Sequence, residues 1–383
     1  MEEKARKGKG YDHWYKSLLF IPIVILVFCL IYLGLFFAQH NTLILKDVSL
    51  SGGATITIKG GNFDVDILES SLKSKFSDIS FRKLTDINSG KLTAVIIEGP
   101  YNIDELEGVI ENILGYELTP ENSSTEFTGP TLSKGFYLEL VKLVFLAFIL
   151  MALVVFLIFG ESKQFKALAI ALSFAALRLT FPSRAFLNAL IILIGASALI
   201  YSLVKSKSKK EKIYLGVATL FFILSFLFQE YIFIFFLVLA LFLLYFSESV
   251  PSIAVIFAAL ANIIFTLTIV DFFGIKLSSA GIAAFLMLIG YSVDTDILLT
   301  SRVLKKKEGE VNKRIYGAFK TGIMMTLTSL LAVLPAFFLV TGLPESFRQI
   351  FLILTIGLFA DIFNTWLTNA GIIKWYCDKK GIN

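Results

Sequence analysis

Apolar residues run along this chain in long unbroken stretches instead of the alternation expected of half-buried strands. The first stretch extends from Leu18 to Ala38 and has about the 20 residues that a bilayer-crossing helix needs. A second covers 136–159. Four shorter ones follow at 167–181, 185–204, 214–228 and 232–246, divided by Pro182-Ser183-Arg184, a lysine run at 205–212 and Gln229-Glu230. The last four cover 252–273, 278–302, 316–340 and 347–373. The pattern predicts ten spans, with the count least secure between 160 and 250, where the stretches are short.

Between the first two spans the pattern changes to that of a small water-exposed domain, 41–134. Ile56 and Ile58 alternate with Thr and read as a strand. Residues 65–76 read as a helix capped by Asp64 or Asp66. Residues 79–84 and 92–97 read as a strand pair across the turn Asp86-Ile87-Asn88-Ser89-Gly90. Residues 103–114 read as a second helix, and a last strand is placed near Tyr116–Leu118. This order is that of a ferredoxin-like α+β unit. Gly52-Gly53 reads locally as a turn or bulge, and Gly129-Pro130 as a loop breaker before the second span.

Composition agrees with a polytopic α-helical membrane protein. The chain is 56% apolar and 17% charged, against roughly 25% charged in soluble domains. Where the cations fall orients it. Lys4, Arg6, Lys7, Lys9 and Lys16, then Lys163 with Lys166, the lysine run, Arg302 to Arg314, and Lys374, Lys379 and Lys380 all lie at alternate span ends. The other ends hold only Arg184, Lys276 and Arg348 outside the domain. By the positive-inside rule the basic ends are cytoplasmic. Residues 1–17 and 374–383 then form cytoplasmic termini, and 41–134 an extracytoplasmic domain. His13 and His40 read as interfacial. Cys29 and Cys377 suit neither a disulfide nor a metal site. No nucleotide loop, catalytic triad or cofactor motif is visible, so the reading is not that of an enzyme, and the basic runs need no nucleic acid.

The chemistry of interest lies at membrane depth, where an ionised Asp costs about 2.5–3.5 kcal/mol on insertion scales. Asp294 and Asp296 share one span but point about 200° apart on a helix. Counting from Arg302, Asp294 lies about 12 Å deep, and Lys320 on the next span about 9 Å deep counting from Arg314. Asp294 with Lys320 is therefore the predicted charge pair, and Asp296, nearer the interface, is expected to be solvated. The alternative is that Lys320 snorkels and Asp294 pairs with Ser or Thr neighbours. Asp361 shares a polar stripe with Asn364 and Asn369 that should face the bundle interior, as a relay or as a structural hydrogen-bonded row. Asp271 is expected at an interface and Arg178 to snorkel.

These residues resemble a family. Gly290-Tyr291-Ser292-Val293-Asp294-Thr295-Asp296 followed by Arg302 resembles the fourth-span signature of SecF, in its archaeal form. Asp294 stands where the bacterial pattern has Asn, and Thr295 where it has the relay Asp. Gly52-Gly53 resembles the family's double glycine after the first span, Gly129-Pro130 its Gly-Pro before the second, and Lys320 stands in the place of its relay arginine. The resemblance covers roughly 1–160 and 250–383. It implies an RND-type six-span core, with 161–250 as an insertion of about four spans and 252–373 as the C-terminal four-span core.

It further implies a plasma-membrane subunit that assists protein export with a SecD homologue and the SecY translocon. Such a subunit acts on an unfolded polypeptide among membrane lipids, using the proton gradient through Asp294, Lys320, Asp296 and Asp361. A stand-alone RND-type transporter of small molecules or lipids, or an uncoupled scaffold for SecD, are the competing readings.

Overall fold

The structure is a computed structural model that describes residues 2–60, 63–86, 89–180, 185–227, 231–305, 309–339 and 345–382. The predicted breaks at Pro182-Ser183-Arg184 and Gln229-Glu230, the turn residues Ile87-Asn88 and the side chain of His13 lie outside the described residues.

Helix α1 (Glu2–His40) precedes the one-turn helix α2 (Val48–Ser51), which leads into strand β1 (Gly53–Lys59). Helix α3 (Val65–Lys75), strands β2 (Ser80–Thr85) and β3 (Leu92–Gly99), helix α4 (Ile103–Leu114) and strand β4 (Ser123–Thr128) complete the small domain. Its sheet is antiparallel, in the order β2-β3-β1-β4. Ile56 opposes Ile97 on one side and Thr125 on the other. Ile56, Ile58, Val95 and Ile97 pack under Leu68 and Leu72 of α3 and Leu106 and Ile110 of α4. Asp64 caps α3 by accepting from the amides of Asp66 and Ile67, which satisfies two otherwise orphan donors.

The last strand is not at Tyr116–Leu118. Gly115 ends α4 in the left-handed region, and the chain turns through Thr119 and Asn122 before β4 begins at Ser123. Its sequence, Ser-Ser-Thr-Glu-Phe-Thr, has no apolar alternation to announce a strand. Pairing with β1 makes it one.

The membrane part begins with α5 (Pro130–Phe159) and continues through α6 (Lys163–Thr180), α7 (Ala185–Lys205), α8 (Lys209–Leu227) and α9 (Tyr231–Glu248). Then come α10 (Val250–Phe272), α11 (Ser279–Lys305), α12 (Val311–Leu339) and α13 (Glu345–Phe363). A π-helical segment, Asn364–Asn369, joins α13 to α14 (Ala370–Lys380) without a break. Every predicted span is helical, but only seven helices among the described residues are long and apolar enough to cross a membrane. Helices α6 and α8 fall short by their charges: α6 carries Lys163, Lys166 and Arg178, and α8 opens on Lys209-Lys210-Glu211-Lys212. Helix α9 is 18 residues long, and its described side chains form the apolar stretch Ile234–Glu248. Ala169, Ala171, Ala175 and Ala176 of α6 are fully buried, so this helix packs inside α5, α7, α8 and α9. Arg178 is buried there and does not snorkel.

Two glycine motifs meet where the sheet domain sits on the bundle. Gly52 has φ 86°, and a Cβ on it would lie 2.6 Å from Pro130 Cα. Gly53 has φ 139°, and its Cβ would lie 2.3 Å from the Gly99 carbonyl oxygen. No other residue fits so close an approach of backbones. Gly129 flanks α5 with Pro130 in the first turn, where a missing N–H costs nothing.

The chain between α1 and the sheet is also tied to α11. Leu277 donates its N–H to the Leu45 carbonyl at 2.7 Å and accepts from Asp47 N–H at 3.0 Å. Ser279 N–H donates to Ser49 Oγ at 3.1 Å, and Ser49 Oγ donates to Asp47 Oδ1 at 2.6 Å. Lys276 pairs with Asp78 at 2.5 Å. Gln349, buried on α13, accepts from Ser278 N–H at 2.8 Å and donates to the Lys276 carbonyl at 2.6 Å, fixing the same turn from the other side.

Candidate functional site

Helix α11 fixes the site because its two acids must face different ways. The structure turns Asp296 inward, fully buried, which puts Asp294 on the outside. Asp296 is not solvated at the interface as its position near Arg302 suggests. The predicted Asp294–Lys320 ion pair does not form among the described residues. Both side chains are exposed, and the Lys320 ammonium lies 5.2 Å from the centre of the Tyr316 ring. The reason is the 200° between the acids: whichever one is buried, the other is turned out. The polar stripe of the last span decides which.

Asn369 Nδ2 donates to Asp296 Oδ1 at 2.8 Å and lies 3.3 Å from both the Asp296 carbonyl oxygen and Thr300 Oγ1. Asn369 is itself fully buried, at the end of the π-helical segment. A π-turn widens a helix by one residue, and such bulges are frequent at functional sites. Asp361 lies two turns earlier on the same element, 1% exposed, and accepts from Thr365 Oγ1 at 3.3 Å. Ser292, buried on α11, faces Asp361, and the two carboxyls lie within electrostatic reach of each other. Asp296 Oδ2 has no hydrogen-bond partner among the described residues. The stripe Asp361, Asn364 and Asn369 thus faces the interior, as expected.

Close packing holds the two elements in place. A Cβ on Gly322 of α12 would lie 2.5 Å from the Trp366 ring and 3.2 Å from Thr295. Phe319 meets Trp366 edge-on at 5.1 Å. Thr295 is buried, and its hydroxyl turns back to the Tyr291 carbonyl at 3.3 Å. Of the other motif residues, Ser292 faces inward and Gly290 and Tyr291 outward. Arg302 donates to Thr321 Oγ1 at 2.9 Å and lies against Gly317, joining α11 to α12. Asp271 is buried near the C-terminal end of α10. Sequence reading did not single out Thr300 or Thr365 as partners. Each stands four residues beyond a buried acid, the spacing that puts a hydroxyl on the same helical face.

The assembly is a polytopic helical membrane protein with a buried carboxyl pair between two spans and a small sheet domain at one end. Residues 223–379 match the family model described as protein export membrane protein SecD/SecF, C-terminal. The matched part of the chain includes every helix that builds the site. Similar proteins are the protein-export membrane protein SecF of Methanothermobacter thermautotrophicus, 50% identical over 137 residues, and that of Methanolacinia petrolearia, 48% identical over 133. These alignments cover 35% and 34% of this chain and 47% of each relative. The chain thus spans about half the length of the curated relatives it matches. The fold is similar to the crystal structure of SecDF, a translocon-associated membrane protein, from Thermus thermophilus. The TM-score is 0.51 at 14% identity, over 95% of this chain and 38% of that one.

Proposed function

We propose that the chain acts as a SecF-like subunit in protein export, in the plasma membrane with both termini in the cytoplasm. It works there with a SecD homologue beside the SecY translocon on an unfolded polypeptide. The buried pair Asp296 and Asp361 takes the coupling role first given to Asp294 and Lys320. Two carboxyls facing one another in low dielectric repel if both ionise, and one shared proton relieves that repulsion. Asn369, Thr300 and Thr365 hold the pair in place. A proton that enters or leaves changes the hydrogen bonds between α11 and the last span, which is the act a proton-driven motion requires.

Asp294 has a separate task in this reading. Tyr291 and Asp294 of α11 and Tyr316, Lys320 and Met324 of α12 all lie outside the bundle. An exposed carboxylate at membrane depth needs a partner, and a SecD-like half supplies one.

The observation that carries the reading is the Asp296–Asn369 hydrogen bond, 2.8 Å long and fully buried. The test is export of a secreted substrate at equal protein levels. Asp296→Asn and Asp361→Asn should each slow it tenfold or more while leaving SecD recovery unchanged. Asp294→Asn should chiefly weaken co-purification with SecD. Full export with both inner variants would leave only the scaffold reading.

A further inference from the structure

Helices α6 and α7 bring cations beside an apolar groove. Lys163 and Lys166 stand three apart in the first turn of α6 and share one face. Neither forms an ion pair among the described residues. Another cation of this end, Lys210, is engaged with Glu248 at 2.5 Å. Between α6 and α7, directly beside the two free lysines, runs a groove of about 400 Å³. Ile170, Ile194 and Ala198 line its apolar length, and half-exposed Tyr201 stands at its edge.

Position decides the chemistry. Helix α5 starts at the sheet domain and crosses the bundle, so the α6 N-terminal turn lies at the far end, at headgroup level. Gln164 Nε2 donates to the Lys205 carbonyl at 3.2 Å, which holds the end of α7 against the start of α6 and brings a third lysine close. Glu161 is the nearby acid, exposed and two residues before Lys163. Snorkelling lysines alone need no cavity; here the cations rim an apolar slot that opens toward the acyl region. We propose that the groove between α6 and α7 binds one anionic membrane lipid. Its acidic headgroup lies on Lys163 and Lys166, and an acyl chain lies along Ile170, Ile194 and Ala198. Basic pockets between spans on the cytoplasmic side are suited to such headgroups.

The test uses the full chain in neutral detergent, with bound lipid read by native mass spectrometry. Phosphatidylglycerol and phosphatidylcholine of identical acyl chains are offered separately and together. The wild-type chain should retain phosphatidylglycerol about tenfold better. Lys163→Gln with Lys166→Gln should remove that preference, and Lys209→Gln with Lys212→Gln should keep it. Ala198→Phe, which fills the slot, should lower retention of both lipids. Equal retention by the wild-type chain would overturn the proposal. So would an equal loss in the Lys209/Lys212 variant, or displacement of the lipid by glycerol phosphate as readily as by phosphatidylglycerol.

Discussion

Asn369 carries the arrangement at the scale of single residues. Its amide is the hydrogen-bond donor found on the Asp296 carboxyl, and its removal leaves a buried acceptor unmet. Asn369→Ala should destabilise the fold by about 1–3 kcal/mol, and less when combined with Asp296→Asn. Thermal midpoints of the two single variants and the double variant measure the difference. An additive result would mean that the two side chains do not interact. Sequence reasoning found every acid of this site and the polar face of the last span. It also gave the 200° between Asp294 and Asp296. It missed the phase of α11, because both faces of that helix carry one acid and flanking apolar residues. Phase is set by what the neighbouring helix offers, and Asn369 lies 73 residues away in sequence.

At the scale of elements, the junction between α1 and β1 has a titrating anchor. Asp47 caps α2 and receives Ser49 N–H at 3.0 Å. Burial pushes its carboxyl up to about 6, against the hydrogen bonds from Ser49, while Glu98 adds repulsion. An unfolded Asp titrates near 4, so the folded chain holds this proton more tightly. The linked stabilisation is full below pH about 4 and is lost as pH rises through about 6. The thermal midpoint of the wild-type chain minus that of Asp47→Asn should therefore fall between pH 4 and 7. A flat difference across that window would show an ordinary carboxyl. The helices themselves were legible because long apolar runs permit little else in a bilayer. Strand β4 and the buried character of α6 were not, since one takes its pairing and the other its burial from partners distant in sequence.

On the scale of the whole molecule, the sheet domain and the lysine-rich ends lie at opposite ends of the bundle. Cys29 and Cys377 are both buried, so added cysteines can report sidedness. Asp104→Cys should react with an impermeant thiol reagent on intact cells, and Lys209→Cys only after permeabilisation. The reverse pattern would invert the proposed orientation. Ten helical rods were readable from hydropathy, whereas their grouping was not. Helices α6 to α9 form their own cluster against α5, and α10 to α14 build the acid site.

The backbone clasp of Leu45, Asp47 and Leu277 has a consequence for how force travels. Ser279, held by Ser49, begins the same unbroken helix that carries Asp296. About 26 Å of continuous α-helix separates the two residues, at roughly 1.5 Å each. A helix resists stretching along its axis, so it works as a pushrod. In the proposed function, an ångström of travel at the carboxyl would arrive as an ångström of travel at the root of the sheet domain. The hydrogen bonds of the clasp would be the coupling through which that stroke is delivered.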